Sequence, residues 1–221
     1  MKKITKNILI FISYFFYNLI FNDILLCFNI NYKSFNTNQK IIYMIVTSLI
    51  YLLIIIFLYR KELKEEIKDF KINHRKYISK NILIYLAGVL LMGLTNTILT
   101  SITRNDLSTN ESLIREYIDK YPLYMAFSTV IFAPISEELI FRKSIKNIFK
   151  NKYLFIIISG LIFGVLHIQN FGDINDILFS IAYIIMGLDF AYIYSRTNNI
   201  FTTMTFHICH NLILFIIQLL L

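Results

Sequence analysis

The chain has 221 residues, of which 57% are hydrophobic and only 16% are charged, and its formal net charge is +8. Soluble domains carry about 25% charged residues, so this composition excludes an ordinary soluble domain. The apolar runs are continuous instead of alternating, which disfavours a membrane β-barrel and indicates an all-α, polytopic membrane protein.

Long apolar runs predict about seven transmembrane helices, because one span needs about 20 apolar residues. The runs lie at 8–30, 41–59, 82–102, 121–141, 153–168, 177–194 and 199–220, the fifth and sixth being short. We divide the chain into residues 1–120, which supply N-terminal transmembrane helices and interfacial segments, and residues 121–221, which supply a core of the last four helices.

The first apolar run follows Lys2 and Lys3 and superficially resembles a signal peptide. It is too long for one and lacks a small-residue cleavage site, so we interpret it as an uncleaved helix. Cys27 and Cys209 fall within predicted spans and have no motif spacing. We therefore expect two ordinary buried cysteines.

The distribution of basic residues predicts a membrane orientation and argues against nucleic acid as a partner. With the N-terminus inside, 17 of the 22 Lys and Arg residues lie in the N-terminal tail or in cytoplasmic loops, and five lie outside. The positive-inside rule therefore predicts an integral, multi-pass protein of the cell membrane with a cytoplasmic N-terminus and an outside C-terminus.

Segment 60–80 is rich in charges of both signs, and its residues Leu63, Ile67 and Phe70 follow helical spacing. We expect either an interfacial helix on an anionic leaflet or a solvated basic loop.

On the predicted outer side, Asn110 is placed to cap a short helix that ends before Pro122. Four apolar residues of that helix share a face: Leu113, Ile114, Tyr117 and Ile118. The helix either covers the mouth of a site in the membrane or simply connects two spans.

Three apolar runs contain polar residues at a depth where charge costs several kcal/mol and is rare without a function. These residues form three short motifs: Glu137-Glu138-x-x-x-Arg142, Phe163-x-x-x-His167 and His207-x-x-x-Asn211. At ~1.5 Å per residue, Glu137 and His167 lie ~20 and ~24 Å from the turn near 150–151, and His207 lies ~15 Å from the same side. The motifs are therefore expected to meet in one layer, in the cytoplasmic half.

Helical phase separates the two glutamates. Glu138 and Arg142 are spaced i, i+4 and can form an ion pair, whereas Glu137 is rotated by about 100° and can face another helix. We interpret Glu137 as a general base and Glu138–Arg142 as a structural pair, and the opposite assignment stays open.

Neighbouring residues add three expectations. Pro134 removes a backbone donor and should kink its helix, either beside a wet pocket or for packing alone. Gly160 and Gly164 allow close approach of another helix. His210 is an adjacent polar neighbour, while Asp189, a further intramembrane acid like Asp23, either lines the same cavity or pairs near Arg196.

At these motifs the sequence resembles the CAAX protease and bacteriocin-processing (CPBP, or Abi) family of intramembrane proteases. The resemblance covers roughly 121–220, the expected catalytic core, and implies peptide-bond hydrolysis in the membrane. It implies that Glu137 and His167 activate a water, that His207 and Asn211 hold the oxyanion, and that Glu138, Arg142 and Phe163 support them. Asp189 departs from the apolar or small residue common in the family.

The leading hypothesis is therefore a glutamate-type endopeptidase without a cofactor, acting on a hydrophobic or membrane-associated peptide or protein, in peptide maturation or bacteriocin self-immunity. A zinc enzyme with Glu137, His167 and His207 as ligands is the alternative for the chemistry. A non-catalytic membrane scaffold or immunity protein is the alternative for the function. A proton-coupled transporter is disfavoured because no internal repeat is detected.

Overall fold

The computed structural model describes residues 3–105 and 107–220, and within them the fold is all-α, as the composition predicts. The main helices follow in chain order: α1 (Lys3–Cys27), α2 (Thr37–Thr103), α3 (Thr109–Lys120), α4 (Pro122–Ile148), α5 (Lys152–Val165), α6 (Ile174–Thr197) and α7 (Ile200–Leu220). A short 3₁₀ turn, Tyr32–Ser34, lies between α1 and α2.

Four of these helices, α2, α4, α6 and α7, are long and apolar enough to cross a membrane. Helix α5 is a shorter apolar helix of 14 residues. These helices make the protein a multi-pass membrane protein, while the expected number of seven crossings stays a prediction.

Helix α2 joins two predicted spans and the charged segment between them into one helix of 67 residues. The alternative prediction of a solvated loop at 60–80 is therefore wrong. The apolar stripe of this segment packs against the protein: Leu63 contacts the main core, and the Phe70 ring lies 6.1 Å from the ring of Phe201 in α7. The stripe is occupied by protein contacts, which explains why the segment stays helical.

The two parts of α2 run in different directions across the bundle. The first part is antiparallel to α1, because Tyr51 contacts Ser13 and Glu62 pairs with Lys6. The second part follows α7, because Asp69 contacts Asn199 just before α7 begins, and Tyr85 contacts His210 half-way along it.

Side chains define where the helices begin. A capping box of Asn36 and Gln39 starts α2, and Asp173 accepts a hydrogen bond from the backbone N–H of Asn175 at the start of α6. Helix α3 is capped by Ser108, which accepts from the N–H of Glu111, so the expectation that Asn110 is the cap is wrong.

Helix α4 changes its hydrogen-bonding pattern around Pro134, as expected from the missing backbone donor. Two stretches of π-helix, Ala126–Phe132 and Glu138–Ser144, flank a short α-helical stretch that contains the proline. Such π-helical stretches are frequent at functional sites. Here they set the phase of Glu137, Glu138 and Arg142.

Helices α5 and α6 pack closely through glycine, as the Gly-x-x-x-Gly spacing predicts. A methyl group added at Gly164 would lie 2.9 Å from the carbonyl oxygen of Ser180, and one at Gly187 would lie 3.0 Å from Cα of Gly160. This approach fixes the position of Phe163 and His167 against α6.

At the basic end of the bundle, Glu66 connects α2 to α4 and α7. Lys143 donates to its carboxylate, and the backbone N–H of Ile200 donates to the same carboxylate at 2.7 Å. Asn199 donates to the Glu66 carbonyl and to Asp69. This network closes the end of the bundle from which α7 begins.

The expectation of two buried cysteines is wrong for Cys209, which is exposed on α7. An apolar helix that borders lipid leaves some of its apolar and thiol side chains on the outer surface of the protein. The side chains of Cys27 and Asp23 lie outside the described residues.

Candidate active site

A cavity of about 410 Å³ lies between α3, α4, α6 and α7 and collects residues from all three sequence motifs. Glu137, His167, His207 and Asn211 all line it. The expected convergence of the motifs on one layer is therefore observed as a shared cavity.

Glu137 and Glu138 occupy different environments, as their helical phase predicts. Glu137 lines the cavity and its side chain is 13% exposed, whereas the side chain of Glu138 is completely buried. Glu138 Oε1 lies 3.5 Å from Nε of Arg142, whose side chain is also completely buried. The i, i+4 ion pair therefore forms away from the cavity, and the free carboxylate is that of Glu137.

Aromatic rings surround the buried arginine. Its guanidinium carbon lies 4.3 Å from the ring centre of Phe163 and 5.6 Å from that of Phe190. Cation–π contacts of this kind offset part of the cost of burying a charge. Phe163 thus supports the ion pair as well as packing 4.7 Å from the ring of His167.

His207 lies between the two glutamates. Its Nδ1 is 3.0 Å from Oε1 of Glu138, and its Nε2 is 3.8 Å from Oε2 of Glu137. An ionised carboxylate only accepts hydrogen bonds, so Nδ1 carries a proton. The neutral ring would then present a lone pair toward Glu137, and Nε2 donates only when the ring is protonated.

His167 leaves its Nε2 atom free for a molecule in the cavity. Its Nδ1 lies 2.7 Å from the carbonyl oxygen of Phe163, which can only accept, so Nδ1 carries the proton and Nε2 of the neutral ring is an acceptor. The ring stacks on Tyr183 of α6 at 4.1 Å with an angle of 14°. Backbone and aromatic contacts therefore fix both the tautomer and the ring plane.

Asn211 is held by α4, because its Nδ2 donates to the Thr129 carbonyl at 2.8 Å. The residues of α4 near Thr129 belong to its first π-helical stretch. One side-chain N–H is used in this contact, which leaves the second N–H and the carbonyl oxygen of the amide for a molecule in the cavity.

The structure shows where two further polar residues, His210 and Asp189, lie relative to the cavity. His210 lines the cavity, and its Nδ1 lies 3.3 Å from the hydroxyl of Tyr85. Asp189 does not line the cavity and faces α2, where a methyl group at Gly88 would lie 2.8 Å from its Cγ. Oδ2 of Asp189 has no hydrogen-bond partner among the described residues, and Arg196 contacts Tyr192, so the expected pairing of Asp189 with a basic group near Arg196 is not observed.

Three contacts of the site come from residues that the motifs do not contain. Tyr183 stacks on His167, Phe190 stacks on His207 at 4.9 Å, and Asp176 binds the start of α3. Tyr183 and Phe190 lie on α6 one helical repeat apart, at i, i+7. That spacing alone does not distinguish them from core residues, because aromatic side chains at helical spacing are common in any packed helix.

The described residues contain no group of three His, Cys, Asp or Glu side chains arranged to hold a metal ion. Nδ1 of His167 and Nδ1 of His207 both have hydrogen-bond partners, so only Nε2 of each ring could bind a metal ion. The zinc alternative stays a prediction.

The fold and the cavity together define a helical membrane protein with a buried centre of carboxylates and imidazoles. Residues 119–213 match the family described as Type II CAAX prenyl endopeptidase Rce1-like. This match covers 95 of the 221 residues and supports the resemblance to the CPBP proteases.

Two relatives are similar to the chain. One is the "Putative membrane peptidase YdiL" of Bacillus subtilis (strain 168), 35% identical over 115 residues that cover 51% of this chain and 44% of that protein. The other is an uncharacterized protein of Mycoplasma capricolum subsp. capricolum, 29% identical over 177 residues that cover 75% of this chain and 52% of that protein. The chain thus spans about half the length of these relatives. No solved structure matches it significantly.

Proposed function

We propose that this protein is a glutamate-type intramembrane endopeptidase. Its substrate is a hydrophobic or membrane-associated peptide or protein, and its role is in peptide maturation or bacteriocin self-immunity. The observation that supports this proposal is the separation of the two glutamates: Glu138 is sealed with Arg142, while Glu137 shares a cavity with His167 and His207.

In the proposed reaction, Glu137 is the general base and His167 orients the water. The Glu137 carboxylate takes one proton from the water, and Nε2 of His167 accepts a hydrogen bond from the other. The resulting hydroxide adds to the carbonyl carbon of the scissile peptide bond. When the C–N bond breaks, the protonated Glu137 returns its proton to the leaving amine.

His207 and Asn211 stabilise the oxyanion in this proposal. Nδ1 of His207 is bound by Glu138, so Nε2 can donate to the oxyanion only from a protonated ring, with the Glu138 carboxylate as counter-charge. Fixed donors aimed at a developing oxyanion are typically worth 10²–10³ in rate each. The free N–H of Asn211 supplies the second donor.

The test is single-turnover cleavage of a fluorogenic hydrophobic-peptide library by the purified protein in detergent. We expect cleavage by the wild type, its loss in Glu137→Gln and no loss in Glu116→Gln, which changes an exposed carboxylate that pairs with Lys120. Retention of activity in chelator is expected as well.

Two outcomes would contradict the proposal. Loss of cleavage in chelator would support the metal alternative. Absence of cleavage of any peptide, together with full function of Glu137→Gln in cells, would favour the non-catalytic scaffold or immunity protein.

A further inference from the structure

We infer that the cavity is entered from the end of the bundle that carries α3, and that the enzyme therefore cuts an uncharged, apolar segment of a membrane-anchored polypeptide on the outer side of the membrane. This inference rests on the proposed function for its cleavage step. The direction of entry rests on the cavity alone.

The cavity has a rim at one end and a floor at the other. The partly or fully exposed polar residues that line it come from α3, from the loop between α5 and α6, and from the end of α7: Asn110, Glu111, Arg115, Gln169 and Gln218. Its deepest lining residues are buried: Phe141, Phe163, Phe190 and His207. Glu137 and His207 therefore lie at the inner end of a space that opens toward α3.

The opposite end of the bundle is closed. No residue of segment 60–80 and none of 142–152 lines the cavity. Lys143 and Asn199 bind Glu66, and Tyr59 and Asn147 both donate to Oδ1 of Asn7. A substrate arriving from that end would have to break this network, whereas one arriving from the α3 end meets none of it.

This inference differs from the expectation that the site lies in the cytoplasmic half, which stays a prediction. That expectation counted residues from the basic turns as if all helices were straight, regular and of equal length. Helix α5 ends at Val165, and α4 contains two π-helical stretches, so the motifs meet above a sealed layer.

The rim carries little net charge, because its charged and polar groups satisfy one another. Glu111 pairs with Arg115 at 2.9 Å, and Gln169 donates to Asn110 at 3.1 Å. Below the rim the walls are apolar: Met92, Ile114, Ile118, Met125, Leu214 and Phe215. A charged peptide would lose its hydration there without gaining a partner, so the cavity selects an uncharged, apolar segment.

The side of the membrane follows from the basic residues. Seventeen of the 22 Lys and Arg residues belong to the N-terminal tail, to segments 60–80 and 142–152 or to Arg196, and Lys6, Lys143 and Lys146 make their contacts at the closed end. The positive-inside rule places that end in the cytoplasm. The open, α3 end is then outside. The substrate is consequently a polypeptide that has already been inserted in or exported across the membrane.

The direction of entry is tested by labelling single cysteines in intact cells with a membrane-impermeant maleimide, in a Cys27→Ser, Cys209→Ser background. Gln169→Cys marks the rim, Ser128→Cys marks the cavity wall, and Lys150→Cys marks the closed end. We expect labelling of the first two in intact cells, and of Lys150→Cys only after permeabilisation. Labelling of Ser128→Cys only together with Lys150→Cys would overturn the inference.

The cleavage step is tested with two single-span substrates that carry the same apolar scissile segment, one on the outer side and one on the cytoplasmic side. We expect cleavage of the outer one, its loss in Glu137→Gln, and no cleavage of the cytoplasmic one. Preferential cleavage of the cytoplasmic substrate would overturn the inference. If neither is cut while the labelling pattern holds, the direction of entry stands and the proposed protease function fails.

Discussion

Nδ1 of His207 lies 3.0 Å from Oε1 of Glu138, the same oxygen that faces Nε of Arg142. The carboxylate that the i, i+4 pattern pairs with arginine on its own helix therefore also orients an imidazole on α7. Because one oxygen contacts both groups, a change at Glu138 affects the stability of the bundle and the geometry of the cavity together. Substitutions of the two adjacent glutamates should consequently differ in their effect on protein stability.

Glu138→Gln should destabilise the protein by roughly 3–5 kcal/mol, because it leaves the completely buried Arg142 without a counter-charge. Glu137→Gln should leave the stability close to that of the wild type, because its carboxylate borders the cavity and forms no hydrogen bond with the residues that the structure describes. Thermal unfolding of both variants in the same detergent measures the difference. Equal losses of stability would show that Glu138 is not the structural member of the pair.

Gly164→Ala should separate α5 from α6, because its methyl group would lie 2.9 Å from the Ser180 carbonyl oxygen. Overpacking of this kind costs typically about 1–3 kcal/mol. Gly93→Ala is the matched control, since a methyl group there meets no atom within 4 Å. The control should be neutral or stabilising by up to about 1 kcal/mol, from helix propensity alone. Comparable melting temperatures for the two variants would contradict the close packing.

Asp176→Asn should loosen α3. The buried carboxylate of Asp176 accepts from the backbone N–H groups of Thr109 and Asn170 at 2.8 and 3.0 Å, and so ties the start of α3 to the loop before α6. Hydrogen bonds to a charged group contribute about 1.5–3 kcal/mol each. We expect faster amide hydrogen exchange across Thr109–Lys120 in the variant.

The control for α3 is Glu116→Gln, which changes an exposed carboxylate on the same helix. Exposed i, i+4 pairs contribute only about 0.3–0.5 kcal/mol, so exchange in this variant should match that of the wild type. Unchanged exchange in both variants would mean that other contacts hold α3 in place.

Glu66→Gln should destabilise the closed end of the bundle, because it leaves the buried Lys143 without its ion-pair partner. Loss of one member of such a buried pair costs roughly 3–5 kcal/mol. Glu65→Gln removes the neighbouring carboxylate, which is exposed, and should change stability by less than about 0.5 kcal/mol. Denaturant or thermal unfolding distinguishes the two, and similar midpoints would rule out a structural role for Glu66.

Local features of the sequence correctly predict several parts of the fold and of the candidate site. Apolar length predicts the all-α membrane fold, and the i, i+4 spacing of Glu138 and Arg142 predicts their pairing on one helix. Helical phase likewise predicts that Glu137 faces elsewhere. These predictions succeed because periodicity and hydropathy act over one or two turns of a helix.

The structure of segment 60–80 and the cap of α3 could not be predicted from local sequence, because they depend on contacts with helices far away in the chain. Segment 60–80 is helical because Leu63 and Phe70 find apolar partners in the bundle, including Phe201, which is 131 positions beyond Phe70. The cap of α3 is Ser108, and Asn110 instead donates to the hydroxyl of Tyr183. Sequence spacing around Asn110 carries no information on Tyr183.

The membrane fold, the motifs and the helical faces on which their residues lie can all be predicted from the amino-acid sequence, because each follows from local composition and a regular period. The folded bundle was needed to show that Glu138 orients His207, that Tyr183 and Phe190 stack on the two imidazoles, and that the cavity opens toward α3. Those contacts join residues up to 69 positions apart, as between Glu138 and His207. Their geometry depends on where each helix bends, begins and ends, and that is settled by packing between helices.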